Sequence, residues 1–402
     1  MRLKPFSWQT AVLLLIGTSS SASAQTQDTV TFTAGAAQLT DSNLFRLPAS
    51  TDFITRIGKP SAEEHIGITS VGLNFNKAYS MQRVEFGLNL IDYKYQNFSY
   101  LSFTASNYNA AWRWALTPRF TGNLTTDRKV SLNSFADYTN TTVRNKRTNT
   151  NTQFDAAYEL AGPWRVLAGM VQSDQKNDQP LSTGDDYSAL SANTGLRYHF
   201  TSGSTLAYTL TRTNGSYLNR VLPSAGLYDD SFNQTDNTLK LHWLVTGQST
   251  VDISAAHISR THPNYAQRDY SGLNAGANLN WSLTGKTAIV SSWTHQLDSY
   301  QTNSSNYVQT DRLSLGPVWQ VSPKTTVRLR QEIAKLDYLG NPTGLAVSQR
   351  SDTTRDTTLS LEWQPHQRLT LSASLQNSTR ASNQANLDFE SKQASLSAQF
   401  SY

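Results

Sequence analysis

The sequence predicts an all-β chain that forms a single closed antiparallel transmembrane β-barrel of about 18 strands. Three observations support this prediction: apolar and polar residues alternate in many segments, short turns alternate with long polar connections, and the last strand ends on an aromatic residue. Alternation with period two places one face of a strand in an apolar medium and the other in water. A closed barrel fits all three observations, because closure leaves no unpaired strand edge.

Residues 1–24 have the features of a secretory signal peptide. Arg2 and Lys4 form a basic start, the apolar run that follows is too short to span a bilayer, and the small residues ending at Ala24 fit a cleavage site. We therefore predict a signal peptide followed by an outer-membrane β-barrel domain over 25–402. Without the two basic residues the formal charge falls from +5 to +3, a surplus too small to indicate a nucleic-acid partner.

Eight tight turns alternate with nine longer polar connections. The turns carry the Gly, Pro and Ser residues that hairpins favour, at 77–80, 116–119, 161–163, 201–204, 246–248, 284–286, 322–324 and 365–367. The longer connections lie near 41–63, 96–102, 129–149, 174–186, 213–232, 260–270, 298–309, 337–354 and 377–388. These connections join eighteen strands, and irregular structure in 41–63 or 129–149 leaves sixteen or twenty open. Short periplasmic turns and long extracellular loops are typical of bacterial outer-membrane barrels.

The predicted strands have one apolar and one polar face. In 235–243, for example, Leu239 and Trp243 lie opposite Lys240 and His242. The apolar set is expected to face lipid and the polar set the lumen. A soluble β-sandwich also alternates, and a chain of this length could form two soluble domains. About fifteen alternating strands with a regular asymmetry of turns and loops favour one barrel.

Tryptophan placement agrees with a membrane boundary at the short turns. Six of the eight Trp residues beyond the predicted signal peptide lie close to a short turn: Trp114, Trp164, Trp243, Trp281, Trp319 and Trp363. Trp prefers the membrane–water interface, where its ring is buried and its N–H stays hydrated. We therefore predict an aromatic girdle at the short-turn end of the barrel.

The final nine residues alternate strictly and end on aromatic side chains. Ala394, Leu396, Phe400 and Tyr402 share one face, while the Ser and Gln residues between them share the other. A soluble edge strand of this kind would bind other chains, whereas a barrel pairs it with the first strand. Phe400 and Tyr402 are the predicted signal for the barrel assembly machinery.

Chemistry-bearing motifs are missing from the sequence. It contains no P-loop, dinucleotide fingerprint, HExxH motif or nucleophile elbow, its seven His have no metal-ligand spacing, and it has no Cys. We therefore predict no catalytic residue, no metal and no cofactor. The chain is not expected to be an enzyme, although some outer-membrane barrels are lipid hydrolases.

The lumen is the remaining candidate site. Strand parity predicts that its charged lining consists of Arg83, Glu85, Arg113, Asp155, Glu159, Arg165, Arg197, His199, Lys240, His242, Asp252, Arg328, Arg330, Glu332 and Glu362. These residues are expected to form either a solvated wall with mixed ion pairs or a conduit for a hydrated, weakly anionic polymer. Trp293 shares the parity of Ser291 and His295, which predicts an inward aromatic that stacks on a sugar or fills the wall.

Several stretches resemble one family of outer-membrane proteins. They are 41–46 (DSNLFR), 93–98 (YKYQNF), 111–119 (AWRWALTPR), 216–220 (SYLNR), 268–272 (RDYSG), 311–320 (DRLSLGPVWQ), 337–340 (DYLG) and the terminal strand. With these stretches the chain resembles the EpsL family, exosortase-B-associated exopolysaccharide biosynthesis proteins, among β-barrel porins. The resemblance implies a role at the cell outer membrane in secreting an extracellular polysaccharide. It includes no catalytic motif from which a residue role could be carried over.

Three functions are therefore open at the level of sequence. The first is a polysaccharide secretion porin that works with a periplasmic polysaccharide-export protein. The second is a general diffusion porin for small solutes, which a folded-in constriction loop such as 129–149 would favour. The third is a non-conducting barrel that scaffolds a secretion complex. In all three the chain lies in outer-membrane lipid.

Overall fold

The computed structural model describes residues 29–136, 142–179, 184–222, 228–302, 304–344 and 348–402. The predicted signal peptide lies outside the described residues. The strands are β1 (Val30–Asp41), β2 (Glu64–Tyr79), β3 (Gln82–Tyr95), β4 (Phe103–Thr117), β5 (Phe120–Leu132), β6 (Lys146–Glu159), β7 (Trp164–Asn177), β8 (Tyr187–His199), β9 (Thr205–Tyr217), β10 (Ser231–Thr246), β11 (Ser249–Thr261), β12 (Tyr270–Ser282), β13 (Thr287–Ser299), β14 (Tyr307–Ser322), β15 (Thr325–Leu339), β16 (Ser351–His366), β17 (Leu369–Ser382) and β18 (Phe389–Ser401).

Three short helical segments of the long connections have both ends within the described residues. These are helix α1 (Phe53–Ile57) and single 3₁₀ turns at Ser99–Leu101 and Ala266–Arg268. Asp52 caps α1 by accepting hydrogen bonds from the backbone of Ile54 and Thr55, and Gly58 ends it in the left-handed conformation. Among the described residues, no helix combines the length and apolar character needed to cross a membrane.

The eighteen strands form one closed antiparallel sheet. Each strand pairs with its neighbours in sequence, and β1 pairs with β18 from Thr33 opposite Ser401 to Asp41 opposite Gln393. The prediction of a closed barrel of about 18 strands is therefore confirmed, and the final alternating strand closes it. The strands contain 12 to 16 residues, more than the 9–11 that suffice to cross a bilayer. The barrel wall therefore extends beyond the lipid.

Cross-strand register defines the two faces of the wall, because directly opposed residues point to the same side. One face carries the exposed apolar side chains, including Leu239, Leu313, Leu359 and Leu396. The opposite face carries the polar residues and, at the long-loop end, the residues that the loops cover. The first face is the outer, lipid-facing surface and the second is the inner wall.

The aromatic girdle is largely as predicted, with one difference. Trp164, Trp243, Trp281, Trp319 and Trp363 are exposed. Trp114 is only 6% exposed because its ring lies over Gly122, where any side chain would collide with it, and contacts Phe120 and Phe154. Trp112, two residues earlier in β4, is 44% exposed and donates its indole N–H to Gln82.

Candidate pore lining and inward loop

The connection between β1 and β2, residues 42–63, packs against other residues of the barrel and is called the inward loop below. Its Leu44, Phe45 and Leu47 are buried in one apolar cluster with wall residues of β2 to β5. The wall residues of this cluster are Ile66, Ile68, Ile91, Tyr93, Tyr95, Phe103, Ala105, Val130 and Leu132. The ring of Phe45 lies 4.7 Å from those of both Phe98 and Phe135, which belong to the next two long connections. One side of the lumen is therefore filled at its long-loop end.

The stretch at 41–46, noted in the sequence as a family signature, anchors the inward loop. Asp41 forms an ion pair with Arg46 (2.9 Å between Arg46 Nη2 and Asp41 Oδ2) and accepts a hydrogen bond from Ser391 of β18. Asn43 donates from Nδ2 to the carbonyls of Leu47 (2.8 Å) and Glu390 (2.9 Å). The loop is thus attached at the seam where β1 meets β18.

Glu64, the first residue of β2, fixes the neighbouring connection between β3 and β4. Its fully buried carboxylate accepts hydrogen bonds from the backbone N–H groups of Gln96 (2.9 Å), Asn97 (2.8 Å) and Phe98 (2.7 Å). A buried carboxylate with several amide donors is satisfied without a cationic partner. The arrangement holds Phe98 against the inward loop.

We expect Glu64→Gln to loosen this connection by about 1–3 kcal/mol, because the new amide NH₂ group faces a backbone donor in a buried site. Amide hydrogen exchange at 96–98 should become faster, while exchange in the middle of β3 should not change. Glu63→Gln is the matched control, since the side chain of Glu63 is 49% exposed. Equal exchange at 96–98 in both variants would contradict the assigned role.

A second group of loop contacts involves the connections that follow β9, β11 and β13. Arg268 is fully buried and donates from Nη1 to the carbonyls of Thr302 (2.7 Å) and Ser305 (3.0 Å). Burial, and then the nearby charge of Arg220, lower the pKa of Arg268 to about 10. Asp229 accepts hydrogen bonds from the backbone of Asn264 (2.8 Å). These contacts join three long connections into one packed unit.

His262 is a buried titratable group of this unit whose pKa is strongly shifted. Its side chain is fully covered, and Gln301 Nε2 lies 2.8 Å from its Nε2. Burial, followed by the positive charge of Arg260, lowers the pKa of His262 to about 4, although Asp269 and Asp229 oppose the shift. The folded protein therefore favours the neutral ring.

We expect this loop unit to lose stability as the pH falls from about 6.5 toward 4. In that window the unfolded segment binds a proton that the folded one does not, so the contribution of neutral His262 is complete above the window and is lost within it. The loss amounts to at most about 3 kcal/mol. Hydrogen exchange of 262–269, corrected for intrinsic rates, should show this dependence. His262→Gln should flatten it, and His366→Gln, at an exposed turn, should not.

The inner wall carries the charged residues predicted to line the lumen. Register places all of them on the inner face: Arg83, Glu85, Arg113, Asp155, Glu159, Arg165, Arg197, His199, Lys240, His242, Asp252, Arg328, Arg330, Glu332 and Glu362. Most form mixed pairs, for example Arg328 with Glu362 (3.2 Å) and His242 with Asp252 (2.6 Å). Glu332 pairs with both Arg312 and Arg330. Contact of these residues with a transported molecule stays a prediction.

The inward placement of Trp293 was wrong. Trp293 lies opposite Ala277 and Leu313, on the outer face with the exposed Leu315. Strand parity did not give the correct face because β13 carries polar residues outward and Val290 inward. On the outer face, the hydroxyl of Ser291 donates a hydrogen bond to the carbonyl of Ser314 (3.1 Å). A polar residue at this position therefore does not indicate contact with water. No sugar-stacking role follows for this ring.

The apolar inner cluster was not predicted, although the sequence contains a signal for it. In β2 the apolar residues at the short-turn end, such as Val71 and Leu73, have odd numbers, whereas Ile66 and Ile68 have even numbers. The apolar parity therefore changes along one strand. Such a change indicates a wall that faces lipid on one side and a packed loop on the other.

The described residues contain no group of three or more His, Asp or Glu placed to hold a metal ion.

A closed antiparallel barrel with a polar inner wall and a loop packed inside is the architecture of outer-membrane porins. Residues 242–402 match the model of a family described as "Putative beta-barrel porin 2". No curated protein sequence matches the chain.

Solved structures similar to this chain include three Pseudomonas aeruginosa proteins, of which OpdK is described as an outer membrane protein. OpdK, crystallised with vanillate, is 10% identical, with 93% of this chain and 99% of that chain covered and a TM-score of 0.52. OccK2 (OpdF), in complex with glucuronate, is 11% identical, with 93% and 96% covered and a TM-score of 0.50. OccK5 (OpdH) is 11% identical, with 93% and 98% covered and a TM-score of 0.50. At these identities the similarity establishes the fold: the chain has the fold of an outer-membrane β-barrel porin.

Proposed function

We propose that this protein is the outer-membrane pore through which an extracellular polysaccharide leaves the cell. The observation that carries the proposal is the composition of one arc of the inner wall, from β17 through β18 and β1 to β4. Its middle section presents hydroxyl and amide groups: Thr33, Ser70, Asn74, Asn89, Asn107, Asn109, Ser372, Ser374, Gln376, Ser395, Ser397 and Gln399. Such groups exchange hydrogen bonds with sugar hydroxyls and hold no fixed charge.

The size of the barrel supports passage of a polymer. Barrels of 16 to 18 strands leave an aqueous channel unless a loop or plug fills it. Here the inward loop provides partial filling from within the chain itself. We propose that it keeps the resting pore narrow and that polymer, delivered by a periplasmic polysaccharide-export protein, displaces it.

The resemblance to the EpsL family supports the choice of cargo. Asn43 of 41–46 and Arg268 of 268–272 take part in the loop contacts described above, and Arg220 of 216–220 donates from Nε to the carbonyl of Gly184 (2.7 Å). These stretches therefore help to hold the long connections in place, in addition to carrying the resemblance to the family. On this proposal the chain carries a cleaved signal peptide, is inserted by the barrel assembly machinery through its terminal strand, and places its short turns in the periplasm.

A general diffusion porin is the second candidate, and the inward loop favours it too, because a folded-in loop can act as a fixed constriction. Two of the similar proteins, OpdK and OccK2, were crystallised with small carboxylates, vanillate and glucuronate. The two candidates differ in the resting state: a diffusion porin conducts continuously, whereas an exit pore for polymer is narrow until it is engaged.

Planar-bilayer recording of the purified protein separates the two candidates. The exit-pore proposal predicts small single-channel conductance and slow entry of glucose into proteoliposomes. Addition of the polymer and the export protein should raise the conductance. A large conductance in the protein alone, unaffected by those additions, would support the diffusion porin. A barrel that stays closed under both conditions would support a scaffold without conduction.

A further inference from the structure

A cavity of about 510 Å³ lies against the inner wall at the short-turn end. Ser80 and Met81 of the turn between β2 and β3 form part of its lining, so it lies at the mouth of the barrel. Its charged lining consists of Arg83, Arg113, Arg165, Arg197 and Asp155. Four arginines against one aspartate give this lining an excess of positive charge.

The positive charges of two of the arginines are balanced by a carboxylate of the same chain. Arg83 and Arg113 are directly opposed on β3 and β4, and Glu85 lies between them. Arg83 Nε is 2.9 Å from Glu85 Oε1, and Arg113 Nη2 is 3.2 Å from Glu85 Oε2. Arg113 also donates to Asn123 (3.4 Å). The carboxylate removes the repulsion that two opposed cations would otherwise have.

The positive charges of the other two arginines are not balanced in this way. Arg165 and Arg197 are directly opposed on β7 and β8. Glu159 reaches only Arg165, at 3.6 Å, and the side chain of Arg197 makes no hydrogen bond or ion pair with any residue that the structure describes. Opposed like charges destabilise a strand pair. An anion bound between the two guanidinium groups would remove this cost.

We propose that this cavity binds the carboxylate of an acidic sugar unit, with Arg197 as the principal donor and Arg165 beside it. A guanidinium group matches a carboxylate through two parallel N–H···O bonds. Four arginines against Glu85, Asp155 and Glu159 leave one net positive charge, which one carboxylate neutralises. Thr121 and Asn123 on the same lining provide neutral partners for the hydroxyls of that sugar.

This inference rests on the proposed function and narrows its substrate class: the exported polysaccharide contains uronic acid units that enter the barrel at the short-turn mouth. A polymer unit would meet the arginines before it reached the neutral arc of the wall. The site thus selects acidic chains at entry without holding them along the rest of the pore.

Equilibrium binding to the detergent-purified full-length barrel tests the site without requiring conduction or export. Isothermal titration with trigalacturonic acid should show binding that weakens with added salt, because the contact is ionic. Maltotriose, the neutral sugar of equal length, should not bind measurably. Inorganic phosphate should bind more weakly than the sugar acid, and equal or tighter phosphate binding would overturn the assignment to a uronic acid.

Variants identify the residue responsible. Arg197→Gln should weaken trigalacturonic acid binding by about tenfold or more, as expected for loss of a charged hydrogen-bond donor. Arg197→Lys should recover part of the affinity. Lysine restores the positive charge but cannot form the two parallel N–H···O bonds of a guanidinium group. Lys286→Gln is the control, since it removes a cation from a short turn outside the cavity. Without ligand, Arg197→Gln should melt no lower than the wild type, because it relieves repulsion.

Unchanged affinity in a folded Arg197→Gln barrel, or equal binding of the neutral trisaccharide, would overturn the site. Polysaccharide export in a strain that lacks the protein can be measured independently of this titration. Normal export without the protein, together with tight binding, would refute the proposed function and leave the anion site in place. Loss of export together with no binding would refute the acidic substrate class and leave the exit pore in place.

Discussion

Replacing residues 44–61 with a short Gly-Ser linker is expected to raise single-channel conductance several-fold. The segment removed carries Phe45, which is 2% exposed and contacts two other long connections, together with Leu44 and Leu47. Strand pairing should survive, because Asp41 and Glu64 at the ends of β1 and β2 are retained. An 18-stranded barrel without this filling leaves a wider aqueous channel.

Two point variants provide a matched comparison for the linker replacement. Phe45→Ser should detach the loop intermittently and produce noisy, higher-conductance openings, because it removes the ring at the centre of the cluster. Ile54→Ser should leave the traces unchanged, since Ile54 in α1 is 66% exposed. Wild-type conductance in the linker variant would show that the inward loop does not limit the pore.

Leu396→Arg is expected to cause a large loss of assembled barrel. Leu396 is 67% exposed on the lipid-facing side of β18, at the strand pair that closes the barrel. A basic residue on this face costs about 2–4 kcal/mol near the bilayer midplane. The cost falls on the closing strand, so we expect less heat-modifiable, protease-resistant protein in outer-membrane fractions.

Ser395→Arg is the matched control for this prediction, because Ser395 is the preceding residue and points to the inner wall, where its hydroxyl lies 2.7 Å from that of Ser374. The inner wall is wet and accepts a charge at low cost. Equal assembly of the two Arg variants would contradict the assignment of faces in β18.

The sequence allowed the strand count and the two faces to be predicted because both follow from local chemistry. Turn residues mark each hairpin, and period-two alternation separates lipid from water. The register confirms the closed barrel, with Leu396 and Phe400 on the outer side of the closing strand. The same rule failed at Trp293, where Ser291 satisfies its hydroxyl on the backbone and so appears polar on a lipid-facing surface.

The loop arrangement could not be predicted, because it depends on contacts between residues far apart in sequence. Arg380 donates to the carbonyl of Ala136 (2.8 Å), and Asn43 donates to that of Glu390 (2.9 Å) at the seam between β1 and β18. Neither partner is defined until the register of every intervening strand is fixed. The uncompensated Arg197 was predicted to line the lumen, but its missing partner became visible only once β7 and β8 were paired.

The location of the polymer in cells that lack this protein tests the central claim most directly. Polysaccharide should be measured separately in the medium, on the cell surface and in the periplasm of a deletion strain and of the strain complemented with the intact gene. An exit pore predicts that the polymer accumulates in the periplasm of the deletion strain and that complementation restores it to the outside. Normal amounts of external polymer in the deletion strain, with none retained in the periplasm, would contradict the proposal.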